Sequence, residues 1–114
     1  MTNTNIFQGF CQCGKIKYVV NFLPKEIADC YCTICKNIHK TQFVSFAKYG
    51  IRDIKFMSNY NFKIISSSNR AIRCACNDCN DIVFMYYNNS ENLWLVTNTF
   101  KFDITCIEHY DICK

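Results

Sequence analysis

The sequence predicts a small, mainly β domain of short antiparallel strands that is held together by bound zinc. Three observations support this: the chain has 114 residues, apolar side chains alternate with polar ones over short segments, and ten residues are cysteine. A chain of this length forms one domain, which we place over residues 1–114. Half of the residues are hydrophobic and 16% are aromatic, so the chain can bury a core and is not disordered.

Apolar residues at every second position predict the strands, because successive side chains of a strand point to opposite faces. The clearest run is Ile16 to Phe22, and Pro24 closes it. Further short strands are predicted at 43–46, 54–56, 62–64, 82–86, 93–97 and 100–104. Turn-forming residues separate the strands, at 49–50, 58–59, 66–69 and 88–90. No segment has the pattern of a long amphipathic helix, and only the residues after Cys35 are expected to form a turn or two.

The high cysteine content indicates either bound metal or disulfides, and the redox compartment decides between them. Residues 1–7 lack the basic and apolar segments of a secretory signal, and no stretch approaches the roughly 18 apolar residues of a membrane span. We therefore expect an intracellular, cytoplasmic protein with no membrane partner. In that reducing environment zinc is favoured over disulfides or inert buried thiols.

The charge of the chain gives no support for a nucleic-acid partner. Thirteen Lys and Arg against nine Asp and Glu give a net charge of +4. A zinc ion held by four thiolates carries about −2 and one held by three about −1, so bound metal would cancel most of the excess. No ladder of aromatic residues with interleaved basic ones is present, so we expect no nucleic-acid binding.

Seven cysteines form three closely spaced groups: Cys11-Gln12-Cys13-Gly14, Cys30-Tyr31-Cys32-Thr33-Ile34-Cys35 and Cys76-Asn77-Asp78-Cys79. A Cys-x-x-Cys pair lets two thiolates converge on one ion across a tight turn whose backbone N–H groups donate to the sulfurs. A Cys-x-Cys pair can do the same only where the chain bends, and Gly14 permits that bend.

These cysteines divide between two zinc ions, because tetrahedral zinc takes four ligands. The two outer groups together offer the four thiolates of a closed structural site: Cys11, Cys13, Cys76 and Cys79. The middle group offers three thiolates for a second zinc: Cys30, Cys32 and Cys35. Three protein ligands are the number expected of an open site, whose fourth position is left for water or substrate.

The fourth position of the second site is open to two interpretations. His39 follows Cys35 by four residues, so on a helix both would face the same way and the imidazole could close the site. Alternatively, His39 lies at the rim of a binding pocket.

The remaining candidates have plainer interpretations. Three cysteines are expected to be free thiols: Cys74, Cys106 and Cys113. Cys74 would share a strand face with Cys76, which makes it the best of these as an extra ligand. Basic residues beside the cysteine groups could attract an anionic thiol, but we expect solvated charges that offset the thiolates: Lys36, Lys40, Arg70 and Arg73.

Three blocks of this sequence match one known family in order and spacing. The first is Gly9-Phe10-Cys11-Gln12-Cys13-Gly14, the second runs from Cys30 to Lys36, and the third from Arg73 to Cys79. Together they resemble the glutathione-dependent formaldehyde-activating enzyme family, which includes the centromere protein V domain. The resemblance covers about residues 9–102.

The resemblance implies a β-tent fold and two zinc ions with the division of ligands given above. It also implies a carbon–sulfur lyase that joins glutathione, or another small thiol, to formaldehyde as S-(hydroxymethyl)glutathione. Cys30, Cys32 and Cys35 would carry this activity. The centromere protein V branch suggests the alternative, a non-catalytic binding module stabilised by zinc.

Several positions depart from the family pattern. Tyr31 replaces a His, Ala75 replaces the usual Phe, and Asn80 replaces the Gly after the last ligand. A small Ser-Gly stretch becomes Ile38-His39, and residues 98–101 lack the family's Gly and acid. These changes leave the seven cysteines intact but fall where a pocket over the second zinc is expected, which favours the binding module.

Overall fold

A computed structural model describes residues 6–57, 62–67 and 70–113 and confirms the prediction of a mainly β domain. Ten strands and one helix follow in chain order: β1 (Phe7–Phe10), β2 (Lys17–Val20), β3 (Ile27–Cys30), α1 (Thr33–His39), β4 (Val44–Gly50), β5 (Ile54–Phe56), β6 (Phe62–Ser67), β7 (Ala71–Cys76), β8 (Ile82–Tyr87), β9 (Asn92–Val96) and β10 (His109–Ile112). Single 3₁₀ turns cover 51–53 and 97–99. The predicted turn at 58–59 lies outside the described residues, as do positions 68–69 of another.

The strands form two sheets. The smaller sheet has the order β1-β2-β5 and is antiparallel, with Tyr18 opposite both Gly9 and Phe56. The larger sheet has the order β10-β3-β4-β9-β8-β7-β6. Its neighbours are antiparallel except β10, which runs parallel to β3 and places Ile112 opposite Cys30. Both cysteine-bearing ends, of β3 and of β7, therefore belong to the larger sheet.

The main core lies where the two sheets meet, and Tyr18 is at its centre. Tyr18 is fully buried, and its hydroxyl hydrogen-bonds Thr99 Oγ1 at 2.5 Å. Gly9 lies against the ring so closely that a Cβ there would be 2.2 Å from Tyr18 Cζ. A side chain at position 9 would displace the tyrosine, so the pairing of β1 with β2 requires glycine here.

Helix α1 is short because both of its ends are capped by the chain itself. It begins at Thr33, because the Cys32 sulfur caps its N-terminus by accepting a hydrogen bond from the Cys35 N–H at 3.3 Å. It ends at Lys40, which adopts the left-handed conformation with φ 59°. Within the described residues no helix has the length and apolar character needed to cross a membrane.

The strand predicted at 100–104 is wrong. A 3₁₀ turn at 97–99 leads the chain away from β9, and only Phe100 forms an isolated bridge, to Gly9. Phe100 and Phe102 instead stack on each other, 4.5 Å apart, against the core. Apolar alternation here reflects aromatic residues that cover a sheet edge rather than a strand.

Candidate metal centres

Four thiols converge between the end of β1 and the β7–β8 turn: Cys11, Cys13, Cys76 and Cys79. Their sulfurs all lie within 4.8 Å of one another. The Cys13 sulfur is 3.6 Å from that of Cys11 and 3.5 Å from that of Cys76. Gly14, at φ 80°, makes the bend that folds the Cys-x-Cys pair inward, and its N–H donates to the Cys11 carbonyl.

Backbone donors surround this four-thiol centre. Ile16 N–H donates to the Cys11 sulfur at 3.3 Å and Asp78 N–H to the Cys76 sulfur at 3.4 Å. Burial acts to raise the pKa of the Cys76 thiol, but backbone N–H groups of Cys79 and Asp78 outweigh it and lower the pKa to about 6. At Cys76 these contacts favour the thiolate form, which is the form that binds metal.

A second group of three thiols joins the end of β3 to the start of α1: Cys30, Cys32 and Cys35. The Cys30 sulfur is 3.5 Å from that of Cys32 and 3.4 Å from that of Cys35. Cys30 and Cys35 are buried, and Cys32 is half-buried. Burial opposes ionisation of Cys32, yet the Cys35 N–H and the charge of Arg73 lower the pKa of its thiol.

Both groups fit zinc. In a tetrahedron with Zn–S bonds of about 2.3 Å, neighbouring sulfurs lie about 3.8 Å apart. The separations of 3.5 and 3.6 Å in the four-thiol centre, and of 3.4 and 3.5 Å in the three-thiol centre, need only small expansions. The cysteines predicted from spacing as ligands are therefore the ones that the fold brings together.

Arg73 is the main residue that the sequence interpretation misjudged. We expected a solvated charge, but Arg73 is only 6% exposed, and its Nη2 donates to the Cys35 sulfur at 3.0 Å. Strand β7 carries Arg73 towards the three-thiol centre and ends at Cys76 in the four-thiol centre. The sequence did contain one indication of this role: Arg73 lies three residues before Cys76, within the third block that resembles the family. The other three basic residues are exposed as expected: Lys36, Lys40 and Arg70.

His39 lies in the last turn of α1 but does not belong to the three-thiol group. Its ring meets that of Phe46 edge-on at 5.9 Å, and its Nε2 is buried without a hydrogen-bond partner. Burial, helped by the nearby charge of Arg73, lowers the pKa of His39 to about 4. The imidazole is therefore neutral near pH 7.

A cavity of about 460 Å³ lies beside the three-thiol centre, and His39 forms part of its wall. Other walls come from α1, the start of β4, the residues after Cys79 and the end of β9. Val44 and Val96 line the cavity and belong to the same buried cluster as Cys30 and Cys35, whereas the three cysteines themselves do not line it. Several positions that depart from the family pattern line this cavity: Ile38, His39, Asn80 and Asn98.

The three remaining cysteines lie outside both centres. Cys74 is buried, and burial raises the pKa of its thiol. The register shift opposite Cys74 and Ala75 places the extra residue, Val83, in β8, so β7 itself is not bulged here. Cys74 is nevertheless not among the thiols that converge at the four-thiol centre. Cys106 and Cys113 are exposed.

Near the C-terminus, His109 has a partner that the sequence did not indicate. Buried Asp29 accepts hydrogen bonds from His109 Nδ1 at 3.0 Å and from Ser45 Oγ at 2.6 Å. Asp29 precedes Cys30 on β3, so these contacts tie β10 and β4 to the strand that leads into the three-thiol centre.

Two comparisons relate this chain to known proteins, one by sequence family and one by fold. The model of the glutathione-dependent formaldehyde-activating enzyme family matches residues 6–105. The crystal structure of a Rhodobacter sphaeroides protein superposes with a TM-score of 0.70 over 90% of this chain and 99% of that chain, at 14% identity. At this identity the likeness concerns the fold alone. No curated protein matches the chain in sequence.

Proposed function

The chain belongs to the glutathione-dependent formaldehyde-activating enzyme family, and on this premise we propose that it joins a small thiol to formaldehyde at a three-thiolate zinc site. With glutathione the product would be S-(hydroxymethyl)glutathione, and the reverse reaction would be a carbon–sulfur lyase step. One observation carries the proposal: three thiols converge, and within the described residues no fourth His, Cys, Asp or Glu ligand atom joins them.

We propose two zinc ions per chain with different tasks. A structural ion would be held by the four thiols of the first centre: Cys11, Cys13, Cys76 and Cys79. The second ion would be held by Cys30, Cys32 and Cys35. When bound there, zinc would supply a Lewis acid that favours the thiolate form of an added thiol.

The reaction requires the transfer of one proton. It forms one S–C bond, breaks the C=O π bond and transfers a proton from sulfur to oxygen. We propose that His39 Nε2 accepts the thiol proton and returns it to the new hydroxyl oxygen. The support is that Nε2 is buried without a protein partner and that His39 lies in the cavity wall, four residues after Cys35. The imidazole is neutral near pH 7, because its pKa is lowered to about 4, so Nε2 has a free lone pair.

A second candidate function is a binding module stabilised by zinc, without catalysis. It is favoured by the limited access to the sulfurs, since Cys30 is 4% exposed and Cys35 is 1% exposed. Neither they nor Cys32 line the 460 Å³ cavity. In this case the cavity would bind a ligand without contact to metal.

Exchange spectroscopy by NMR tests the two candidates directly. Zinc-loaded protein should accelerate the interconversion of glutathione plus formaldehyde with the hydroxymethyl adduct above the spontaneous rate. Cys32→Ser should abolish the acceleration, whereas Cys106→Ser, which changes an exposed thiol outside both centres, should retain it. If wild-type protein gives no acceleration with any small thiol, and X-ray absorption at zinc is unchanged by thiol, the binding module is the better account.

A further inference from the structure

Two buried side-chain nitrogens among the described residues have no hydrogen-bond partner, and both flank the three-thiol centre: Arg73 Nε and His39 Nε2. Arg73 carries a full charge and is only 6% exposed. A buried charged donor without a partner is costly, and native proteins supply such groups with an acceptor. An acceptor for Arg73 Nε is therefore to be sought among the ligands of this centre.

The shape of the guanidinium limits where such an acceptor can lie. Nε and Nη2 form one edge of a planar, rigid fork, so their N–H bonds on that edge point the same way. Nη2 donates to the Cys35 sulfur at 3.0 Å. An acceptor that shares this edge of the guanidinium with the Cys35 sulfur would lie beside that sulfur, within reach of the Nε–H.

The charge of the centre indicates which acceptor fits. Three thiolates around one zinc ion carry about −1, which the single positive charge of Arg73 balances. Within the described residues Arg73 is the one buried basic side chain. A fourth thiolate would bring the zinc centre to about −2, and a guanidinium that spans two sulfurs on one edge would offset part of that charge through charge-assisted hydrogen bonds.

We propose that Arg73 is a substrate-binding residue that holds the sulfur of a small anionic thiol through Nε, next to the Cys35 sulfur held through Nη2. This inference rests on the proposed function, because it concerns the same centre. It makes the site selective for the thiolate over uncharged sulfur and for sulfur over carboxylate. It also explains why an arginine, rather than a lysine with a single point of contact, is buried at this position.

Calorimetric titration of zinc-loaded protein tests the proposal with 2-mercaptoethanol, which has a thiol and no carboxylate. Arg73→Gln should weaken binding about 10- to 100-fold, the range expected for a lost hydrogen bond to a charged group. Arg73→Lys should also bind the thiol about tenfold more weakly, because lysine keeps the positive charge but lacks the two parallel N–H donors of the guanidinium. Between pH 6 and 9 both variants should need a higher pH than wild type for the same affinity, because they no longer favour the thiolate.

Matched controls separate this role from general electrostatics. Lys36→Gln removes an exposed positive charge on α1 and should change thiol affinity less than about twofold. The thioether 2-(methylthio)ethanol and acetate should bind wild type and both Arg73 variants equally weakly. The proposal is overturned if acetate competes with 2-mercaptoethanol through Arg73, or if Arg73→Lys binds the thiol as tightly as wild type.

Zinc content measured on the same samples completes the test. Both Arg73 variants should retain the zinc content of wild type; loss of zinc from Arg73→Lys would make Arg73 a support of the metal centre and overturn the proposal. Formaldehyde exchange keeps the two claims apart. If thiol binding depends on Arg73 but wild-type protein does not accelerate formaldehyde exchange, the proposed function alone is rejected. If Arg73→Gln changes neither the acceleration nor the thiol affinity, this inference alone is rejected.

Discussion

The two cysteine centres differ in how much chain they connect, and this difference predicts different roles. In the four-thiol centre, Cys13 and Cys76 are 63 positions apart; Cys13 lies in the turn that joins β1 to β2 of the smaller sheet, and Cys76 ends β7 of the larger sheet. In the three-thiol centre, Cys30 and Cys35 are five positions apart. The loop-closure entropy removed from the unfolded chain grows with loop length, so on this term a cross-link at the first centre stabilises the fold by about 2 kcal/mol more.

The centres also differ in their surroundings. In the four-thiol centre, the sulfurs accept hydrogen bonds from backbone N–H groups of the turns that carry the cysteines. The three-thiol centre also receives a backbone N–H, from Cys35, but in addition it receives a long-range side chain, Arg73, and lies beside the cavity with His39 in its wall. These surroundings suit the structural role proposed for the four-thiol centre and the ligand-binding role proposed for the three-thiol centre.

The largest expected effect tests the structural role of the four-thiol centre. Cys79→Ser removes one ligand, and a structural zinc supplies folding free energy on the order of 10 kcal/mol in small domains. We expect the variant to unfold or to become insoluble, as measured by circular dichroism and zinc content. Cys106→Ser is the control, since that thiol is exposed and outside both centres. A native thermal transition with full zinc content in Cys79→Ser would contradict the structural assignment.

A smaller effect is expected from the same substitution in the other centre. Cys32→Ser should lose one zinc ion and the thiol-dependent activity but keep the fold, because the ligands it disconnects lie within one short segment. Hydrogen exchange should then rise in α1 and the end of β3 while the small sheet stays protected. If Cys32→Ser unfolds as completely as Cys79→Ser, the distinction between the two centres is wrong.

Gly9→Ala tests how far the four-thiol centre depends on the packing of the small sheet. The added Cβ would lie 2.2 Å from the Tyr18 ring, so β1 must shift, and overpacking of this kind costs about 1–3 kcal/mol. Because β1 leads into Cys11, we expect weaker zinc retention at the four-thiol centre and unchanged thiol binding at the other. Denaturant unfolding measures the cost, with exposed Gln8→Ala as the control. A stability equal to that of the control would mean that Tyr18 moves freely.

The fold and the centres were predictable to different degrees. Alternation identified β2 and β8, where one face is buried and the other is more exposed. It missed β3, which is buried at all four positions and therefore shows no alternation. It also missed β7, where Arg73 interrupts the apolar pattern although it is buried.

The thiol groups were predictable because ligand spacing is local and the count of four is fixed by the metal. Cysteine spacing could not identify the side chains that reach these centres only through tertiary contacts. Arg73 reaches Cys35 from 38 positions away, and its exposure could not be judged before the strand carrying it was known. His109 likewise gained a role only when β10 paired with β3, since Asp29 lies 80 positions earlier.

The most local effect is expected at His39, which decides whether the second centre is open. If His39 lines the cavity without binding metal, His39→Gln should leave the zinc content unchanged and slow formaldehyde exchange by about 10²-fold, the lower end for a proton-transfer group. NMR of the imidazole should find it neutral from pH 8 down to about 5, since the pKa is lowered from 6.5 to about 4.

The same pKa gives the sign of a stability effect. The unfolded chain binds a proton at His39 below about pH 6.5, whereas the folded chain resists it down to about pH 4. His39 therefore contributes to stability fully above pH 6.5 and progressively less as the pH falls towards 4, and His39→Gln should flatten that part of the profile. Loss of one zinc ion from His39→Gln would instead make His39 the fourth ligand. The second centre would then be closed like the first, and the binding module would replace the enzyme as the proposed function.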